Sequence, residues 1–229
     1  MKLRFLGQNC FLITTGTTNI LTDPFYSYQK DKSGFLLEST KVDYILLTHV
    51  HQDHMADVKQ VLEHYPQATL IAQPEVCGYF SHSSMVDLNF GGTLDIGKVS
   101  IDMVPALHTS SFPDGSYGGL SCGYLLQSEG GNLYLAGDTG LTMEMKLLKE
   151  FYGPISISIL PVGGHYTMDY KKAAYAAKNL LDCAHVVGCH FDTFPPISID
   201  HQKAKAYFEA MDIELKLPEL GEEWEEWEV

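Results

Sequence analysis

The chain has 229 residues, 45% hydrophobic and 19% charged, a composition that fits a globular fold with a sizeable core. Its 29 acidic and 15 basic side chains give a formal charge of −14, which opposes binding to nucleic acid or to an anionic membrane surface; an anionic small substrate stays open, because metal ions can dominate a local field. No apolar stretch nears the ~20 residues that cross a bilayer, the opening Met1-Lys2-Leu3-Arg4-Phe5-Leu6 turns polar too soon for a signal peptide, and Cys10, Cys77, Cys122, Cys183 and Cys189 form no CxxC pair, so the expectation is a cytoplasmic protein with free buried thiols and no stable membrane insertion.

In chain order, residues 2–6 and 10–14 read as an antiparallel hairpin, with turn chemistry at Gly16-Thr17-Thr18-Asn19 and a further strand at 20–22 before Asp23-Pro24. Residues 26–40 form a polar loop rich in Tyr, Lys and Ser, placed to lie over a site. The continuous apolar run 42–47 is a strand covered on both faces, 57–65 is a helix closed by Pro66, and 68–72 is another strand. Residues 99–104 alternate and lead to His108. Strands at 123–127 and 132–136 flank the turn Ser128-Glu129-Gly130-Gly131. Helices follow at 141–151, at 169–181 with Asp169 as cap, and at 201–211, with strands at 155–160, 185–188 and 214–217. The acidic tail 221–229, with Trp224 and Trp227, reads as an edge strand with charged outer positions. No linker or repeat divides the chain, so one domain over 1–229 is expected. Strands first, then helix–strand alternation, predicts two sheets face to face with helices outside.

The most informative segment is Thr48-His49-Val50-His51-Gln52-Asp53-His54, three histidines and a carboxylate directly after an apolar strand. Neutral imidazole and carboxylate are natural ligands of zinc and its first-row neighbours. His49 and His51, two apart at a strand end, share a side. Asp53 and His54 can serve a second ion nearby, and two-metal sites are built for hydrolysis. Further donors are expected past other strands, where His108, Asp138 (in Ala136-Gly137-Asp138-Thr139-Gly140) and His190 fall. Taken singly, His108 reads as a surface or satisfied core histidine, Asp138 as a turn residue and His190 as a buried imidazole; the series gives them weight. Cys189, beside His190, is read as a small apolar filler.

The order HxHxDH, then His, then Asp in a Gly-Asp-Thr setting, then His, resembles the metallo-β-lactamase superfamily. The likeness extends over nearly the whole chain and is closest to compact metal-dependent hydrolases related to the ascorbate-6-phosphate lactonase and N-acylphosphatidylethanolamine phospholipase branches. Thr22-Asp23-Pro24-Phe25, the string from Leu160 to Asp169, and His190-Phe191-Asp192-Thr193-Phe194-Pro195 support it. The resemblance implies an α+β, four-layer αββα sandwich. It implies one ion on His49, His51 and His108, another on Asp53, His54 and His190, and Asp138 bridging them; ions ~3.5–4 Å apart need an anionic bridge to offset their repulsion. The two divalent ions are zinc first, with manganese, iron or nickel suited to the same donors. Asp23 is expected behind the ligands, fixing an imidazole tautomer, with a cap before Pro24 as the alternative; Thr48 and Thr139 are weaker versions of the same idea. The resemblance also brings His165 near the metals, as proton donor to a leaving group or grip on an anionic substrate, against a plain surface histidine. Where the family often carries a His after Leu-Gly, this chain has Gln8, which cannot titrate.

The expected chemistry is hydrolysis of a small ester, lactone or phosphoester by a binuclear-site hydroxide, with Asp53 orienting it. The partner is a small molecule, with no nucleic acid; a homo-oligomer is left open. The alternatives are a di-iron or mono-iron oxidoreductase on the same fold, which His51 and the missing flavin domain oppose, and a phosphodiesterase or nuclease, which the charge opposes.

Overall fold

A computed structural model describes residues 1–225 of the chain. Strand alternation sets its layers. In β1 (Lys2–Gly7) and β2 (Cys10–Thr15), Leu3, Phe5, Phe11 and Ile13 face one core, while Leu6, Cys10 and Leu12 face another. The same split runs through β3 (Thr18–Thr22), β4 (Tyr44–Leu46) and β5 (Thr69–Ala72): Ile20, Leu46 and Ile71 point inward, and Leu21, Ile45 and Leu70 outward. With β6 (Met85–Asp87) and the tail strand β14 (Glu223–Glu225), these form a seven-stranded sheet in the order β14-β1-β2-β3-β4-β5-β6. A second sheet runs β13-β12-β11-β10-β9-β8-β7, from β7 (Thr93–Asp95), β8 (Ser100–Pro105), β9 (Cys122–Ser128), β10 (Gly131–Leu135), β11 (Ile157–Pro161), β12 (His185–Cys189) and β13 (Glu214–Lys216).

The inward residues of the first sheet share one core with the second. The second sheet's outer face is covered by α5 (Glu144–Tyr152), α6 (Tyr170–Tyr175) with its π-helical continuation Ala176–Leu181, and α7 (His201–Glu209), through Met145, Leu148, Ala173, Leu180 and Phe208. The first sheet's outer face is covered by α3 (Val58–His64) and α4 (Pro74–Phe80), through Val58, Val61 and Val76. Two short helices, α1 (Lys30–Ser33) and α2 (Gln52–Met55), lie in loops. The result is the α+β, four-layer αββα sandwich. Asp169 does cap α6, its carboxylate accepting from the backbone N–H groups of Lys171 and Lys172. All five cysteines are buried and free. Among the described residues, no helix is long and apolar enough to cross a membrane.

Two details differ from the sequence expectation. Segment 26–40 is anchored by apolar side chains: Tyr26, Phe35 and Leu37 are buried, with Tyr26 and Phe35 edge to face at 4.8 Å. The helix α4 and the edge strands β6 and β7 were not anticipated. The tail pairs with β1 through Leu3↔Trp224, as an edge strand should, while Trp227 lies outside the described residues.

Strand direction decides where chemistry gathers. β3 to β6 run parallel, as do β10 to β13, and β1 and β8 each run the same way as their parallel set because two antiparallel steps separate them. Residues just past β1, β3 and β4 therefore emerge at one end of the first sheet, and those past β8, β10 and β12 at one end of the second.

Candidate metal centre

Gln8, Asp23 and the 49–54 segment follow β1, β3 and β4; His108, Asp138 and His190 follow β8, β10 and β12. The two sets meet. Potential ligand atoms of His49, His51 and His108 lie within 4.8 Å of one another, as do those of His49, His54 and Asp138, and those of Asp53, His54 and His190. All seven side chains singled out from the sequence as donors are thus in one cluster.

The backbone is bent hard to achieve this. Gln8, Asp23 and His190 sit at φ of 55°, 37° and 52°, a region that non-glycine residues occupy only when the surroundings hold them there. The His190 N–H donates to the Gln8 carbonyl at 3.0 Å, joining the two sheets beside the cluster. Cys122 N–H donates to the Thr48 carbonyl at 3.0 Å and ties the motif itself to β9. Gly163 lets β11's exit pass against His190, since a Cβ there would stand 2.1 Å from the His190 carbonyl oxygen.

Asp23, fully buried, organises the histidines from behind. Its Oδ1 accepts the Thr48 N–H at 2.8 Å; its Oδ2 accepts the Thr48 hydroxyl at 2.7 Å and faces His54 Nδ1 at 2.7 Å. Thr48 Oγ1 in turn lies 3.0 Å from His49 Nδ1. A proton on His54 Nδ1 leaves Nε2 as the free lone pair, and that buried Nε2 has no hydrogen-bond partner. Two amides hold the carboxylates: Gln8 Nε2 donates to Asp53 Oδ2 at 2.7 Å, and Asn9 Nδ2 donates to Asp138 Oδ1 at 2.8 Å. The Thr139 hydroxyl accepts from Leu107 N–H at 3.0 Å and steadies the loop before His108.

The titration behaviour is that of a site short of positive charge. Burial would lower the His54 pKa, yet Asp138, Asp23 and Asp53 outweigh it and push it well above the usual imidazole range. Burial opposes His190 in the same way, but the charge and hydrogen bond of Asp138, with Asp53, push it up to about 9. Asp138 and Asp53, despite burial, are held well below the usual carboxylate range, mainly by His190 and His54 and by His54 respectively. His49, His51 and His108 are lowered, chiefly by burial. Burial dominates at Asp23 and raises it.

The donor set fits metal. His49 Nε2 and His51 Nδ1 are 3.1 Å apart, close to the roughly 3.3 Å between two nitrogens on one tetrahedral ion with ~2.0–2.1 Å bonds. Asp138 Oδ2 faces three imidazoles, at 3.1 Å from His190 Nε2 and 3.5 Å from His54 Nε2 and His108 Nε2. With their pKa values raised, His54 and His190 are each expected to hold a proton until a cation displaces it. Metal binding near pH 7.5 is therefore expected to release about two protons per chain, one from each, because ligands must deprotonate. Calorimetry in buffers of differing ionisation enthalpy measures this, and binding without proton release would contradict it.

His165 is placed differently from the donors. It is exposed at φ 61°, its ring packed edge to face against Tyr166 at 4.4 Å, and it is not among the residues lining the cleft over the donors; Tyr166 is. Sequence reasoning gave no role to Asn9, Phe25, Tyr28, Tyr166 or Phe194, which hold Asp138 or line that cleft. The strings around Asp23, His165 and His190 contain three of them, Phe25, Tyr166 and Phe194, but only the fold shows that they meet.

Facing sheets with helices on both outer sides, and a His/Asp cluster at the strand ends of both, define the metallo-β-lactamase class of protein. Residues 2–190 match the β-lactamase superfamily domain. The UPF0173 metal-dependent hydrolase of Christiangramia forsetii is 38% identical over 227 residues, covering 97% of this chain and 98% of its own. Its namesake from Methylacidiphilum infernorum is 39% identical over 227 residues, with the same coverage of 97% and 98%. Among solved structures, Igni18, a metallo hydrolase from the archaeon Ignicoccus hospitalis, superposes with a TM-score of 0.86 at 31% identity, covering 98% of each chain. The chain belongs to the metallo-β-lactamase superfamily, on its metal-dependent hydrolase branch.

Proposed function

We propose that the chain hydrolyses a small ester, lactone or phosphoester with two divalent ions, zinc first, one held by His49, His51 and His108, the other by Asp53, His54 and His190, with Asp138 shared. The observation that carries this is the position of Asp138 Oδ2, which faces His108 from one set and His54 and His190 from the other. When bound, such ions lower the pKa of water towards ~7 and act as Lewis acids.

The chain's own residues do the rest. Asp23, through Thr48 and directly, fixes His49 and His54 in orientation, so the ligand lone pairs are aimed before any ion arrives. Gln8 and Asn9 hold Asp53 and Asp138. Asp53, a quarter exposed where Asp138 is buried, faces the cleft as the carboxylate that orients the attacking water and accepts its hydrogen bond. His165 is exposed against Tyr166 and is not among the described residues that line the cleft, so leaving-group protonation falls to water.

The test is metal analysis with a substrate panel. Purified protein carries two ions per chain, chelation removes hydrolysis, and zinc or manganese restores it. His49→Ala keeps the fold and loses turnover to below about a thousandth of wild type. Full activity in chelated protein, or in that variant, rejects the assignment.

A further inference from the structure

A wall of three rings stands beside the donor cluster. Phe25 and Tyr28 stack with centroids 5.1 Å apart and planes 15° from parallel. Phe194 closes on both, 5.4 Å from Tyr28 and 6.4 Å from Phe25. These rings and Tyr166 line one cleft of about 630 Å³ together with His51, Asp53, His108 and His190. That volume lies within the usual range for a small-molecule site.

The wall is built and held from both sheets. Asp57, at the head of α3, accepts the Ser27 N–H and hydroxyl, each at 2.7 Å, which fixes the turn carrying Phe25 and Tyr28. Asp192 fixes the turn carrying Phe194: its N–H donates to the Ile197 carbonyl at 3.0 Å, its Oδ1 accepts the Ile199 N–H at 2.9 Å, and its Oδ2 pairs with His201 Nε2 at 2.6 Å. Phe25, 9% exposed, backs Tyr28, while Tyr28 and Tyr166, each 56% exposed, present their rings to the cleft. Its described lining residues include no lysine or arginine, the side chains that grip phosphate or carboxylate. The overall charge of −14 works against an approaching anion as well.

We infer that the site takes an uncharged carboxylic ester or lactone whose apolar group lies against Phe25, Tyr28 and Phe194. This narrows the hydrolase reading and rests on it. The reaction adds water across the acyl C–O bond: the water oxygen bonds to the carbonyl carbon, the bond to the alkoxy oxygen breaks with its electron pair, and that oxygen takes a proton from the water. An ester leaves as acid and alcohol, a lactone as a single hydroxy acid. The rings act on binding, offset-stacking on the apolar group or covering it, while the donor cluster acts on the carbonyl.

Two measurements on the metal-loaded protein test this. In the first, p-nitrophenyl hexanoate, p-nitrophenyl acetate and bis(p-nitrophenyl) phosphate are compared. Wild type shows a KM about tenfold lower for hexanoate than for acetate, and a kcat/KM for hexanoate at least a hundredfold above that for the phosphodiester. Tyr28→Ala and Phe194→Ala raise the hexanoate KM about tenfold with kcat within twofold, abolishing the difference between the two esters; Tyr175→Ala, on an exposed helix face, changes neither. In the second, calorimetry follows 4-phenyl-2-butanone, a neutral carbonyl with no bond to hydrolyse, which binds wild type about tenfold more tightly than Tyr28→Ala. Ester turnover indifferent to both ring variants, or phosphodiester preferred, overturns the inference and leaves the hydrolase standing. Ring-dependent binding of the ketone without turnover of either carboxylic ester or of the phosphodiester overturns the hydrolase and leaves the cleft's preference standing. Neither binding nor turnover overturns both. Tyr28 is exposed enough that its variant folds, and its melting curve checks that.

Discussion

Asp138→Asn is expected to lower kcat/KM by about a thousandfold and to reduce the metal bound from two ions per chain to one or none. A thousandfold corresponds to about 4 kcal/mol of barrier. The substitution is close to isosteric, and the amide oxygen still accepts from Asn9 Nδ2. What changes is the other end, where an NH2 replaces the Oδ2 that His54, His108 and His190 all face. An amide nitrogen has no lone pair for a metal and no charge to separate two cations. Metal content and steady-state kinetics on the same preparation check this; wild-type values in both would remove Asp138 from the shared position and with it the binuclear reading.

Asp23 is expected to give the second largest effect, and its two variants separate support from chemistry. Asp23→Ala leaves Thr48 N–H, the Thr48 hydroxyl and His54 Nδ1 without their buried acceptor. It also puts a side chain without local hydrogen bonding at φ 37°. A loss of about 3–5 kcal/mol in unfolding free energy follows, as for other broken buried charge networks, and chemical denaturation measures it. Asp23→Asn tolerates the left-handed backbone and keeps an acceptor, so it retains the fold. Its weaker hold on His54 lowers metal affinity by about 10–100-fold, read by competition with a chromophoric chelator. Equal metal affinity in wild type and Asp23→Asn would show that Asp23 serves the fold alone.

The strands that carry donors were legible because each is apolar, long enough to show its period and followed at once by a polar residue of unusual type. The run before His49 and the hairpin before Asp138 are of this kind. The elements that escaped are short or half-exposed. β6 and β7 have three residues each at sheet edges, too few to show alternation, and α4 packs seven residues between Pro74 and Phe80 around a glycine. Segment 26–40 read as polar because Lys, Ser and Gln outnumber its anchors, yet Tyr26, Phe35 and Leu37 decide where it lies. Within the site, ligand-type residues announced themselves by chemistry. Asn9, Tyr28, Tyr166 and Phe194 did not: amides and aromatics are common everywhere, and their meaning depends on strand ends that only folding brings together.

The cluster draws four of its seven members from one layer, His49, His51, Asp53 and His54, and three from the other, His108, Asp138 and His190. An ion seated there is a rivet through the sandwich. Unpeeling the sheets would first require releasing it, so occupancy adds to mechanical and thermal endurance by mass action, about 4.1 kcal/mol when free metal is a thousand times its Kd. Starvation for metal would then leave a molecule both idle and softer, more open to proteases, and the cell's supply of the cation would set its lifetime along with its turnover.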